Sequence, residues 1–218
     1  MIKCDFHMHS FRSSDGNMSL DTIVQTCQRR GIDCVALTDH NLLDEAFNLQ
    51  QKAPFKVIPG EEIKTNRGEI IGLFLKEQIP RGLSPRATAE EIHQQGGVVY
   101  IPHPFDRVRR SVLARDALLE IVDLVDVIEV LNARIIFMAD AQEAERFAIE
   151  HGKLMGAGSD AHVWWELGRC FVEMPDFEGG REQFLKALAQ GKINGKLSWP
   201  AVHIASSLNK WRKKYLKR

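Results

Sequence analysis

The chain has 218 residues, of which 44% are hydrophobic and 27% charged, with 29 basic and 29 acidic side chains. That composition marks a soluble globular protein and excludes the disordered, collagen-like and disulfide-scaffold classes. No apolar run reaches the ~18 residues of a membrane span, and the opening MIKCDFHMHS lacks a signal-peptide core, so the expected location is cytoplasmic.

In chain order, short apolar runs alternate with amphipathic ones. Residues 2–7 read as a strand, and 20–31 as a helix closed by Gly31. A buried strand follows at 33–39, a helix at 42–52, a strand at 55–63 and a further apolar run at 69–75. Ser84 and Pro85 suit the start of a helix over 84–97. Strands over 98–103, 125–132, 153–160 and 169–174 are interleaved with helices over 111–122, 135–152 and 181–191, and a last helix covers about 201–216. This alternation predicts an α/β fold with a mainly parallel sheet, and the number of units in this length favours a barrel. In such barrels the chemistry sits at the C-terminal ends of the strands.

The polar residues follow that rule. Of the eight histidines, five directly follow predicted strands: His7, His9, His40, His103 and His162. Asp5, Asp39, Glu61, Glu62 and Asp160 stand beside them. Residues two apart on a strand end share a face, so His7 with His9, and Asp160 with His162, can each grip one ion. Imidazole with carboxylate suits Zn2+, Mn2+ or Fe2+, and the carboxylates favour Mn2+. His93, His151 and His203 fall in helical patterns and read as structural or solvent-exposed.

Other candidates carry less specific signals. The four cysteines, Cys4, Cys27, Cys34 and Cys170, show neither zinc-knuckle nor redox spacing, and no disulfide is expected. Ser10, Ser13 and Ser159 lack a base and an orienting partner, and are expected to cap backbone or hold phosphate oxygens. Arg134, after a strand end, can contact phosphate bidentately, with Arg169 a second candidate. Trp164 and Trp165 either stack on a base or pack at the barrel rim. Nine basic residues and no acid follow Glu182. Near the end, Ile204, Leu208, Trp211 and Tyr215 recur at helical spacing, so that face is expected to pack on the barrel. Lys210, Arg212, Lys213, Lys214, Lys217 and Arg218 then form a basic outer face, solvated or open to nucleic acid.

The motifs DFHMHS, SSDG, ALTDHN, PGEEI, IPHPF, EVLNAR and GSDAH, in this order, resemble the polymerase and histidinol phosphatase (PHP) superfamily over about residues 3–170, continuing into ELGRCF. The resemblance is to small stand-alone phosphoesterases of that group. It implies a distorted (β/α)7 barrel over 1–198, with a basic C-terminal helical extension over 199–218. It also implies two or three divalent ions per chain, Mn, Zn or Fe, with Mg also compatible. Carried over by position, the first ion site takes His7, His9, Glu61 and Asp160. Glu61 bridges to a second site with His103, and the third takes Asp15, His40 and His162. Asp5 and Asp39 would orient imidazoles from behind. One position departs from the pattern: Glu69 stands where the second ion commonly has a histidine, and it is either a ligand or a turn residue. Asp160, His162, His103 and Arg134 are the candidate catalytic residues.

The implied activity is metal-dependent hydrolysis of a phosphate ester of a small molecule or nucleotide. The alternatives are a nuclease using the basic helix, a histidinol phosphatase, and a non-catalytic interaction module. The substrate and the oligomeric state are not legible.

Overall fold

The computed structural model describes residues 1–199 and 201–215, apart from the side chains of 201 and 203–205. The expectations for His203, Ile204, Lys217 and Arg218 therefore lie outside what is described. Nine strands, β1 (Ile2–Asp5), β2 (Cys34–Leu37), β3 (Lys56–Thr65), β4 (Gly68–Leu73), β5 (Val98–Ile101), β6 (Val127–Asn132), β7 (Leu154–Gly158), β8 (Cys170–Met174) and β9 (Lys192–Gly195), form one sheet. Among the described residues, seven α-helices accompany them: α1 (Leu20–Arg30), α2 (Asp44–Lys52), α3 (Pro85–Gln94), α4 (Arg115–Glu120), α5 (Met138–Glu150), α6 (Arg181–Leu188) and α7 (Ala201–Tyr215). Ser19 and Ser84 cap α1 and α3 by accepting backbone N–H groups, and Gly31 ends α1 in the left-handed region at φ 61°.

The sheet runs β7-β6-β5-β4-β3-β2-β1-β8-β9. β1, β2 and β3 pair in parallel, as do β5, β6 and β7. β4 is antiparallel to both neighbours, and this departs from a uniform (β/α)7 repeat. The cause is local: only Asn66 and Arg67 separate β3 from β4, which is hairpin length and too short for a crossover helix. Gly68 is obligatory there, since a Cβ would stand 2.3 Å from the Leu113 Cα. The sheet curls until its β7 end meets the segment after β1. There His9 N–H donates to the Ala161 carbonyl at 2.9 Å and Asp160 N–H to the His7 carbonyl at 2.6 Å, so the barrel is nearly closed. The β8–β9 hairpin extends the other side of β1; β9 carried no clear sequence signal.

Two apolar layers alternate along the strands, as the period of two requires. Val35, Leu37, Val57, Ile63, Val99, Ile101 and Ile128 pack under the helices with Ile23, Leu49, Ile92 and Phe147. Cys4, Phe6, Cys34, Ala36, Ile58, Val98, Tyr100 and Ala157 form the second, inner layer with Phe184 of α6. Phe184 is fully buried and meets Phe6, Phe74 and Phe177 edge-on at 5.2–5.5 Å between ring centres. All four cysteines are buried and free. No helix among the described residues is long and apolar enough to cross a membrane.

Phe184→Ala should cost about 3–5 kcal/mol by leaving a cavity in this layer. Urea unfolding measures it, and a loss below about 1 kcal/mol would contradict the packing described.

Candidate metal centre

The strand ends deliver their polar residues to one place. His7 and His9 follow β1, His40 follows β2, His103 follows β5, and Asp160 and His162 follow β7. Because β4 is antiparallel, its beginning lies at the same end, and this brings in Glu69. His103 and Asp160 adopt positive φ, 33° and 51°, a strained backbone for non-glycine residues. Their N–H groups are held, Asp160 by the His7 carbonyl and His103 by Glu129 Oε2 at 2.8 Å. Gly158 permits the approach of β1, since a Cβ there would stand 2.4 Å from the His7 Cβ.

The acid among these histidines is Glu62, and this corrects the expectation for Glu61. Glu62 carboxylate oxygens lie 3.6 Å from His7 Nε2, 3.3 Å from His9 Nε2, 2.9 Å from His40 Nδ1 and 3.4 Å from His103 Nε2. Adjacent strand residues face opposite ways. Glu62 shares its face with inner-layer Ile58, whereas Glu61 shares the face of Val57 and Ile63. Glu61 instead accepts the Ile79 N–H at 3.0 Å, and burial pushes its carboxyl up to about 7.

The spacing suits cations. Ligands at about 2.0–2.2 Å from one ion stand roughly 3.0–3.5 Å from each other. Here His7 Nε2 and His9 Nε2 are 3.3 Å apart, His9 Nε2 and Asp160 Oδ1 3.3 Å, and His162 Nε2 and Asp15 Oδ1 3.3 Å. His40 Nε2 lies 3.6 Å from the same Asp15 oxygen. Among the described residues, four compact groups of potential ligand atoms result: His7, His9 and Asp160; His7, Glu62 and His103; His9, His40 and His162; and His40, Glu62 and Glu69. Asp15 Oδ1, both Glu62 oxygens, both His103 ring nitrogens and Asp160 Oδ1 are buried and find no hydrogen-bond partner among the described residues. Buried polar atoms without partners are costly, and a divalent cation is the partner this donor set fits.

The electrostatics agree. Burial, then His162 and His40, lower His9 to about 3, so its ring is neutral, as a ligand must be. Burial opposes ionisation of Asp160 and Asp15, but the cationic groups around them outweigh it and hold both below the usual carboxylate range. Glu69, 7% exposed and so no surface turn residue, is pushed up to about 7 by burial and by the charge of Glu62.

A supporting layer explains the ring orientations. His7 Nδ1–H donates to Glu129 Oε1 at 3.2 Å, which turns Nε2 toward the cluster. Tyr100 O–H and the Asn132 amide also donate to Glu129. His9 Nδ1–H donates to Ser13 Oγ, whose hydroxyl in turn donates to Asp39. Asp39 thus orients an imidazole through Ser13. Asp5 contacts no ring: it accepts the backbone N–H of His7, Ser159 and Gly168 and staples β1 to the end of β7. Ser10 and Ser13 spend their hydroxyls on Asp39, so neither is free for phosphate. Glu129 and Glu166 open the motifs EVLNAR and ELGRCF, which assign them no role, and Arg109 lies in no motif. Arg109 reaches Asp160 and also pairs with Asp106 at 3.1 Å. Glu129 lies two residues inside β6.

Above the cluster opens a cavity of about 490 Å3, whose lining includes Asp15, His40, Glu69, Arg109, Arg134 and His162. Arg134 is 4% exposed; its guanidinium meets His162, Glu166, Ser206 and the Val202 carbonyl, so much of it is spent inside the protein. Arg169 donates to the Leu197 carbonyl and does not line this cavity. Trp164 and Trp165 form an edge-to-face pair 5.6 Å apart, and Arg29 lies over Trp164. His93 pairs with Asp126, and His151 packs on Phe147.

The last helix departs from the expected facing at its apolar stripe. Leu208, Trp211 and Tyr215 are 56%, 55% and 61% exposed, and Lys210, Arg212 and Lys214 are exposed with them, while Asn209 and Lys213 are half-buried against the barrel. Lys213 Nζ donates to the carbonyls of Phe11, Ser13 and Gly16, and Asn209 to that of Asp15. The helix therefore lies against the loop that carries Asp15.

If Glu62 is a ligand and Glu61 is not, Glu62→Gln should lose most of the bound metal while Glu61→Gln keeps it. Elemental analysis of the purified variants decides this, and equal metal content in both would refute the assignment.

Comparison with known proteins agrees with this reading of the fold. Residues 5–92 match the family model for the PHP domain, and residues 140–193 match the PHP-associated model. An uncharacterized protein of Methanocaldococcus jannaschii is 36% identical over 178 residues, covering 80% of this chain and 71% of that protein. Among solved structures, a two-domain protein of Bacteroides vulgatus, described as containing a predicted PHP-like metal-dependent phosphoesterase, superposes with a TM-score of 0.68 at 20% identity. It covers 95% of this chain and 69% of its own. A lesion-specific endonuclease of Pyrococcus furiosus superposes with a TM-score of 0.61 at 18% identity, covering 88% of this chain and 57% of its own. With the matched domains, the shared fold and the histidine and carboxylate groups at its strand ends, the chain belongs to the polymerase and histidinol phosphatase (PHP) superfamily.

Proposed function

We propose that this protein is a metal-dependent phosphoesterase that hydrolyses a phosphate ester of a small molecule or nucleotide. The observation that carries the reading is the set of unpartnered buried Glu62, His103, Asp15 and Asp160 atoms beneath an open cavity with cations in its wall. His7, His9, Glu62 and Asp160 would hold one ion. Glu62 and His103, with Glu69 beside them, would hold a second, and Asp15, His40 and His162 a third. The carboxylate-rich donor set suits Mn2+, with Zn2+, Fe2+ and Mg2+ also compatible. Bound divalent ions neutralise phosphate oxygens and acidify a water so that hydroxide forms near neutral pH.

The chain's own residues do the rest. Glu129 keeps the His7 proton on Nδ1, and Ser13 with Asp39 does the same for His9, so both Nε2 lone pairs face the cluster. Arg109 holds Asp160 in place from the cavity side. Arg134 and Glu166 brace His162, and the exposed part of Arg134 faces the cavity. Water adds to phosphorus, the ester P–O bond breaks, and the alcohol leaves with a proton; no side-chain nucleophile is required.

A nuclease is the second reading, favoured by the placement of α7 beside the cavity and by the endonuclease neighbour. Steep loss of oligonucleotide binding with rising salt would favour it.

Phosphate release from phosphomonoesters, nucleotides and short RNA with Mn2+ present tests the proposal. Asp160→Asn should lower turnover at least ~100-fold. Turnover unchanged in that variant would overturn the proposal.

A further inference from the structure

The rim of the cavity carries cations that no acid neutralises. Lys64 at the end of β3, Arg110 in the loop after β5 and Lys210 on α7 line the same cavity. Among the described residues, none of these three side chains has an ion pair or hydrogen bond. The other basic groups near the site are engaged: Arg109 by Asp160 and Asp106, Arg134 by Glu166, and Arg12 by Asp44. Depth separates the two sets. The histidines and carboxylates at the floor are mostly buried, whereas Lys64, Arg110 and Lys210 are exposed at the rim. Three segments far apart in sequence bring their free charge to one opening.

Lys210 is also held there. Its neighbours on the same helix, Asn209 and Lys213, bond the carbonyls of the 11–16 loop, and Ser206 meets Arg134. The last helix therefore forms one wall of the opening.

We propose that Lys64, Arg110 and Lys210 form a second anion subsite, so that the substrate carries a further phosphate beyond the one that is cleaved. This rests on the phosphoesterase reading for the first phosphate, at the floor. The shared chemistry is a second phosphate, whether on a small bisphosphorylated molecule or at the next link of a phosphodiester chain. Charge-assisted bonds from Lys and Arg to phosphate are the strong kind, and a partly enclosed cavity screens them less than open surface does.

The test is binding to metal-replete protein of probes that cannot be hydrolysed: propylphosphonate, propane-1,3-diphosphonate and a phosphorothioate-linked tetrathymidylate. The wild type should bind the diphosphonate about tenfold or more tightly than the monophosphonate. Lys210→Gln should remove most of that gain while leaving monophosphonate binding within about twofold. Arg212→Gln, on the same helix but outside the cavity lining, should change neither. A further gain with the tetrathymidylate, lost in Lys210→Gln, identifies the phosphodiester source; no further gain identifies the bisphosphate, and the subsite stands either way. Equal mono- and diphosphonate binding by the wild type, or equal losses in Lys210→Gln and Arg212→Gln, would overturn it. Absence of turnover with the diphosphonate preference intact would count against the phosphoesterase reading alone.

Discussion

Everything in this molecule turns on burying Glu62 among histidines. A carboxylate 1% exposed, with both oxygens lacking hydrogen-bond partners, is expensive unless cations surround it. Four imidazoles approach it within 3.6 Å, and Asp160 and Asp15 join through shared histidines. A cluster of this kind balances its charge best around divalent ions, since neutral imidazole and ionised carboxylate are their natural ligands.

The rest of the fold makes that burial feasible. Parallel strands aim their ends at one point, and the one antiparallel strand adds Glu69 by reversing direction. Gly158 lets His7 sit against β7, and the strained backbones of His103 and Asp160 turn their side chains inward. Behind the histidines, Glu129 and the Ser13–Asp39 pair fix which ring nitrogen carries the proton. At the far end of the inner layer, Phe184 and its aromatic neighbours fill the barrel, so the polar cluster need not carry the stability of the fold.

Much of this was legible in the residues. Histidines placed after short apolar runs pointed to one end of a barrel, and His7, His9, His40, His103, Asp160 and His162 do converge there. The choice between Glu61 and Glu62 was not legible. In KVIPGEEI both faces are apolar, because one packs under helices and the other fills the barrel, so alternation gives no parity. The hairpin at Asn66 and Arg67 was missed because its apolar flanks read as separate strands. The last helix departs for a different reason: its apolar stripe at Leu208, Trp211 and Tyr215 is exposed. A single lysine capping three carbonyls, with an asparagine beside it, instead anchors the polar side. Arg109 acts through its contact with Asp160, far away in sequence, which no local pattern announces.

The most direct test of the central claim is thermal unfolding of the chelator-stripped chain, with and without saturating Mn2+. If the buried cluster exists to hold divalent ions, binding at ~100 times Kd should stabilise the fold by about 2.7 kcal/mol. For a chain of this length that raises Tm by roughly 5–10 °C. A Tm that neither falls on stripping nor rises with Mn2+ would contradict the account.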